Sequence, residues 1–302
     1  MGLSELDILA RLRAKLPGGG ALTDDCGALP SPGPGETLLV TTDLMEEGVH
    51  FRRSWHPPRL LGRKLVAVNL SDLDASGARP LGCTLTLALP PDLPLPWLDA
   101  FLEGLAEACE AAGIPVIGGD TVGRPEGVGL GLTAFGAATR WLRRDGVRPG
   151  DRLFVDQPLG RSLRGLLKLQ TGADPDSTDP DLQAHLDPRP HLGLGPRLAA
   201  LPEVHACMDL SDGLSRDLRN LAQASGLSIR LAGGLTAEEI RGGEDYARCF
   251  ASSLSGEELT ARLGLPFREV GLALSKGAAP VLTYDGTQDH PLPDQAFDHF
   301  AP

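Results

Sequence analysis

LGCTLTLALPPDLPLPWLDAFLEGLAEACEAAGIPVIGGDT, residues 81–121, decides the fold because its hydrophobic period changes twice. Leu81 to Leu89 alternates leucine, cysteine and alanine with threonine, the period of two expected of a strand. Pro90, Pro91, Pro94 and Pro96 then break the run. From Trp97 to Ala112 the spacing becomes helical, with Trp97, Phe101, Leu105 and Ala108 on one side. Gly113 can take the left-handed conformation that closes a helix, and Ile114 to Ile117 starts a second strand.

Working outward, Leu3 to Leu16 reads as a charged amphipathic helix, Thr37 to Thr42 as a strand and Arg59 to Ser71 as a helix. Val128 to Ala137 reads as a returning strand. Taken as β-α-β-β-α-β, this half suggests a ferredoxin-like layer within an α/β (α+β) protein. Arg143 to Asp151 is a polar, turn-rich joint, so a domain boundary is expected near residue 140, separating 1–140 from 141–302. Beyond it a strand is expected at Arg152 to Val155 and helices at Leu159 to Leu169 and Asp212 to Ala224. Thr236, Glu238 and Glu239 open another short helix. Thr171 to Pro190 is rich in aspartate and proline, lacks periodicity and reads as a mobile surface loop. Thr287 to Pro302 reads as a loop-like tail carrying Phe297 and Phe300.

The chain has 302 residues, 41% of them hydrophobic and 23% charged, which is ordinary for a globular protein. Its 40 acidic and 28 basic residues give a formal charge of -12, which argues against nucleic-acid binding. A polyphosphate ligand is compatible with such a field only through bridging cations. Cys26, Cys83, Cys109, Cys207 and Cys249 are scattered, with no CxxC pair, as a reducing compartment permits. There is no signal-peptide pattern and no stretch apolar enough to span a membrane, so a cytoplasmic location is expected.

Aspartates recur in short glycine-, serine- or threonine-flanked turns: Asp24-Asp25, Thr41-Thr42-Asp43, Ser71-Asp72, Gly118-Gly119-Asp120 and Asp209-Leu210-Ser211-Asp212-Gly213. Each alone also reads as an ordinary turn or helix cap. Together they are hard oxygen ligands at strand ends, which suit magnesium bound with phosphates. Asp72 lies at the C-terminal end of its expected helix, where negative charge is unfavourable unless a cation reverses the sign. His50 follows Asp43, Glu46 and Glu47 and reads as a cationic donor to phosphate. No P-loop, G-x-S-x-G elbow, H-E-x-x-H or strand-linked G-x-G-x-x-G is present. The chain thus reads as a metal-dependent, phosphate-handling enzyme.

Seven segments in order carry a resemblance: TDDCGAL from Thr23, TTDLMEEGVHF from Thr41, AVNLSDLDASGARP from Ala67, VIGGDT from Val116, GVRPGD from Gly146, MDLSDGLSRDL from Met208 and GGEDY from Gly242. The set resembles the thiamine-monophosphate kinases, of the superfamily that includes aminoimidazole-ribotide synthetases and selenophosphate synthetases. The resemblance implies a PurM-like architecture, in which residues 1–140 bind metal and ATP and pair into a homodimer while residues 141–302 complete the active site. It implies transfer of the ATP γ-phosphoryl group to thiamine phosphate with several magnesium ions (Mg2+). Carried over by motif, Asp25, Thr41, Thr42, Asp43, Asp72, Asp120, Asp209 and Asp212 would hold metal. Gly119, Asp120, Arg144 and Ser211 would contact ATP, and His50, Glu244 and Phe297 would contact thiamine phosphate, with Asp120 and Asp212 the catalytic pair. The acceptor phosphate is already ionised, so no strong general base is required. The chain departs from the pattern at Thr23, Asp74, Ser76, Ala112 and His191. The alternatives are another ATP-dependent synthetase of the superfamily, or a catalytically silent homologue that binds thiamine phosphate or ATP.

Overall fold

The structure, a computed structural model, describes residues 4–295. The N-terminal half runs α1 (Glu5–Lys15), β1 (Thr37–Glu46), α2 (Pro58–Ala75), β2 (Arg79–Leu89), α3 (Leu95–Ala112), β3 (Val116–Gly123) and β4 (Gly129–Ala138). Its sheet has the order β1-β4-β2-β3, with β2 and β3 parallel and the other pairs antiparallel. The elements stand where the sequence places them, and Gly113 closes α3 at φ 67°. Their order after α1 is β-α-β-α-β-β, which corrects the expected β-α-β-β-α-β, because α3 precedes both β3 and β4.

Helices α2 and α3 cover one face of this sheet. Leu61, Leu65, Phe101 and Leu105 bury against Cys83, Leu85, Leu130 and Leu132. The two helices approach closely because each presents a glycine to the other's backbone. A Cβ on Gly104 would lie 1.8 Å from the Arg59 carbonyl oxygen, and one on Gly62 would lie 2.1 Å from that of Phe101. This crossing fixes α2, which carries Asp72 at its C-terminal end. On the opposite sheet face Leu38, Val40, Leu44 and Val122 are all exposed.

The second half runs β5 (Arg152–Val155), α4 (Arg161–Gln170), α5 (Pro180–Leu186), α6 (Leu194–Ala199), β6 (Val204–Asp209), α7 (Leu214–Ser225), β7 (Ser228–Leu231), α8 (Ala237–Arg241), β8 (Arg248–Ser252), α9 (Gly256–Leu263), β9 (Arg268–Leu274), β10 (Val281–Tyr284) and β11 (Asp289–Pro291). Its sheet order is β11-β10-β7-β9-β5-β8-β6. The halves meet through α2. Ala75 shares a core with Phe154, Leu194, Leu198 and Phe250, and Asp74 accepts the buried Arg248 guanidinium at 2.9 Å. The backbone N–H groups of Gly193 and Gly195 also donate to Asp74.

Two loop expectations are corrected. Thr171 to Pro190 contains α5, which Asp179 caps by accepting from the Asp181 N–H, and its Leu182 and Leu186 bury against Leu169. The tail contributes β11, paired with β10 at Thr283↔His290, while Phe297 and Phe300 lie outside the described residues. Helix α5 is also tied to the start of α2. Buried His56 donates its Nε2–H to the Leu186 carbonyl at 3.0 Å. Burial, then the nearby Lys64 charge, lowers the His56 pKa well below the usual value. A histidine lowered in the folded state adds stability above its unfolded pKa that is lost as pH falls below about 6.5. His56→Gln removes the titration and keeps a donor. The stability gap between parent and variant should therefore narrow from about pH 7 to about pH 5, by at most about 1.4 kcal/mol per pH unit. Thermal denaturation across that range is the measurement, and a gap that stays constant rejects the assignment.

Candidate active site

Residues from both halves converge where α2 ends beside β1 and β6. Alternation along β1 turns Thr41 and Asp43 toward α2 and Thr42 toward the opposite face. Thr41 Oγ1 donates to Asp72 Oδ2 at 2.6 Å. Next to it on α2, Ser71 Oγ donates to Asp209 Oδ2 at 2.9 Å, across the two halves. After β6, the backbone N–H groups of Asp212 and Gly213 donate to Asp217 Oδ2 at 3.2 and 3.1 Å, which folds the turn that carries Ser211 and Asp212.

Two cavities share this wall. One, of about 370 Å³, is lined by Asp43, His50, Asp72, Asp209, Ser211, Asp212 and Glu244, with Leu44, Met45, Val68, Leu163 and Leu166 as its apolar part. The other, of about 640 Å³, holds Thr41, Trp141, Arg143 and Arg144 and again Asp72 and Asp209. Asp72 and Asp209 thus stand between the two chambers, the first of which also bears Arg241 while the second bears Arg143 and Arg144.

The carboxylates repel one another. Burial, then the charge of Asp72, pushes Asp43 up to about 7. The same two causes, in that order, raise Asp209 well above its ordinary value, although the Ser71 hydroxyl opposes them. Burial and then Asp212 push Asp217 up to about 7. A hard cation relieves such repulsion, and the donor set of carboxylate and hydroxyl oxygens suits magnesium. Among the described residues no three acidic, histidine or cysteine side chains already stand in metal-ligand geometry. Magnesium commonly takes only one or two carboxylates, with waters and substrate phosphates completing its shell, so the residues present fit it.

Glu244 enters the first chamber from a strained loop. Glu244 and Tyr246 have φ of 60° and 48°, in the left-handed region that disfavours non-glycine residues. Their N–H groups donate to the carbonyls of Ser211 and Leu210, both at 2.8 Å, which locks the loop onto the turn after β6. His50 accepts the Glu46 N–H at Nδ1, at 3.0 Å, so its ring proton is carried on Nε2. In this arrangement it is a hydrogen-bond donor, and the sequence-based expectation of a cationic donor is not needed.

Of the expected site residues, the structure gathers Asp43, His50, Asp72, Asp209, Ser211, Asp212 and Glu244 around the first chamber, with Thr41 and Arg144 in the second. It does not bring Asp25, Thr42, Gly119 or Asp120 to either chamber. Asp25 is exposed on a bend, and Thr42 is exposed and bonded to Thr133 at 3.0 Å. Gly119 and Asp120 are exposed within β3 and not in a turn after it, paired with Leu85 and Thr86. Phe297 lies outside the described residues. Sequence reasoning missed Lys64, His185, Asp217 and Arg248, which are charged or titratable side chains in the interior.

Comparison with known proteins identifies the family of the chain. Residues 23–138 match the family model described as "AIR synthase related protein, N-terminal domain", and residues 148–252 match its C-terminal counterpart. The thiamine-monophosphate kinase of Salmonella typhimurium is 34% identical over 309 residues, covering 92% of this chain and 91% of that relative. A solved structure described as "AaThiL complexed with AMPPCP and TMP" is similar at TM-score 0.76 and 31% identity, covering 91% of this chain and 90% of its own. The thiamine-monophosphate kinase of Stenotrophomonas maltophilia is similar at TM-score 0.76 and 32% identity, over 95% of this chain and 98% of its own. With this identity sustained along nearly the whole length, the chain belongs to the thiamine-monophosphate kinase family.

Proposed function

We propose that the protein transfers the γ-phosphoryl group of ATP to thiamine phosphate, giving thiamine diphosphate, by direct attack of the acceptor phosphate oxygen. The carrying observation is the pair of chambers that meet at Asp72 and Asp209. Two anionic reactants entering from opposite sides would meet at that wall. The chamber with Arg144 suits the nucleotide, and the chamber with His50 and Glu244 suits thiamine phosphate. Ser211, on the turn before α7, would contact transferring phosphate oxygens. No general base is needed, and the residues act by positioning and by charge.

Asp43, Asp72, Asp209 and Asp212 would hold magnesium, which when bound neutralises charge on the reacting phosphates. Asp25, Thr42, Gly119 and Asp120 belong to the same proposal through the motif resemblance. Division of labour at residue 140 is proposed likewise, as is a cytoplasmic location. The sheet face bearing the exposed Leu38, Val40, Leu44 and Val122 supports pairing of two N-terminal halves into a homodimer. Sedimentation at the 31.7 kDa mass of one chain would refute that pairing.

The test of the function is incubation with γ-labelled ATP, thiamine phosphate and magnesium. Labelled thiamine diphosphate is expected, with activity lost on chelation and restored by excess magnesium. Binding of both substrates without turnover would instead identify a silent homologue. Turnover with an aminoimidazole precursor would identify a synthetase.

A further inference from the structure

Lys64 is the feature that this reading leaves unexplained. It lies in α2 with no exposed surface, and its ion-pair partner among the described residues, Glu244, is on the far side of the domain junction. Its Nζ donates to the His185 carbonyl at 2.9 Å and stands 3.2 Å from each oxygen of Glu244. A buried ammonium costs several kcal/mol of lost hydration unless it is well paired, so a lysine here needs a reason.

We infer that Lys64 is a positioning residue that fixes the Glu244 carboxylate at the chamber wall as an acceptor for the aminopyrimidine of thiamine phosphate. The inference rests on the proposed kinase reading and deepens it. Lys64 does not line the chamber, whereas Glu244 does. The left-handed backbone at Glu244 is imposed by its loop, and Lys64 and His185 reach it from two other elements. His185 Nδ1 lies 3.2 Å from Glu244 and 3.0 Å from the Ser162 hydroxyl, so an Nδ1–H tautomer donates toward both.

The charged and titratable groups around Glu244 include Lys64 on α2, His185 on α5 with His56 behind it, Tyr246 on its own loop, and Asp43, Asp212 and Arg241 on the chamber wall. Burial works against ionisation of Glu244, but the Lys64 charge and the His185 hydrogen bond outweigh it and hold the carboxyl well below its usual range. An ionised carboxylate accepts hydrogen bonds and donates none. The exocyclic amine of an aminopyrimidine presents N–H donors, which match it. Without Lys64, Glu244 would be a half-buried acid facing other carboxylates. It would take up a proton, and that oxygen would then donate where the substrate also donates.

Lys64→Met tests this through the Michaelis constants. The KM for thiamine phosphate should rise about tenfold near neutral pH, while the KM for ATP stays within about twofold. The thiamine phosphate KM should then fall toward the parental value at alkaline pH, as Glu244 ionises. A merely structural role would move both constants together, with no new pH dependence, and would overturn the inference. If Lys64→Met does not fold, Lys64→Met/Glu244→Gln removes both charges and leaves no lone buried one. Compared with Glu244→Gln alone, the double variant should change the thiamine phosphate KM less than about twofold. A further large rise would show Lys64 acting independently of Glu244 and would also overturn the inference. A parent enzyme inactive on thiamine phosphate would fell the kinase reading and this inference together, whereas an active parent with an unaltered Lys64→Met variant would fell this one alone.

Discussion

Asp212→Asn is expected to lower turnover by about 10²–10³-fold, on the scale of removing one preorganised charge-stabilising group, while the melting temperature stays unchanged. The side chain is only half-buried. The contact that shapes its turn is made by its backbone N–H to Asp217, which asparagine keeps. Asparagine has the same shape but lacks the charge that a cation needs. The measurement is kcat with saturating ATP and thiamine phosphate, beside a thermal melt. Parental turnover would refute the role given to the Ser211-Asp212 turn.

Arg248→Met is expected to be the most destabilising single change, at about 3–5 kcal/mol, because it leaves Asp74 charged and buried without its partner. Asp74 is only 3% exposed and Arg248 fully buried. Removing both charges together, in Asp74→Leu/Arg248→Met, should recover most of the loss, since well-packed apolar pairs often replace buried ion pairs at no cost. The double variant does leave the N–H groups of Gly193 and Gly195 without their acceptor, so recovery should be incomplete. Denaturant unfolding of the three variants settles it. A single Arg248→Met variant as stable as the parent would mean that the pair does not hold the halves together.

Much of the architecture was legible because hydrophobic period is a local signal. The alternation at Leu81 to Leu89, the helical spacing at Trp97 to Ala112 and the closing Gly113 all depend on neighbours within a few residues, and each stands as expected. Helix α5 was not legible, since seven residues that open on proline offer only Leu182 and Leu186 as an apolar pair. What orders it is a surface made by α4 and by the start of α2, far away in sequence.

The site divides along the same line. Asp43, Asp72, Asp209 and Asp212 announce themselves by lying at the ends of apolar runs beside hydroxyls or glycine. Lys64 and Arg248 do not, because lysine and arginine in a sequence default to the surface. Their burial is created by partners 180 and 174 positions away. Asp74 could have been a signal, as an acid standing where the resembled pattern has alanine, but the sequence does not say which cation answers it. Alternation would have set Thr42 on the opposite face from Thr41 and Asp43, whereas the outward position of Asp120 follows from its pairing with Thr86.

The hydrogen bond between Ser71 and Asp209 has a bearing on how the protein is made. A ribosome releases Asp43 and Asp72 long before it reaches Asp209, and Glu244 and Arg248 come later still. Until then α2 carries Lys64 and Asp74 with neither counter-charge in existence, so the early product has no means of seating them. Competence therefore arrives late in translation and all at once, and a chain terminated before β6 has its N-terminal core but no complete site.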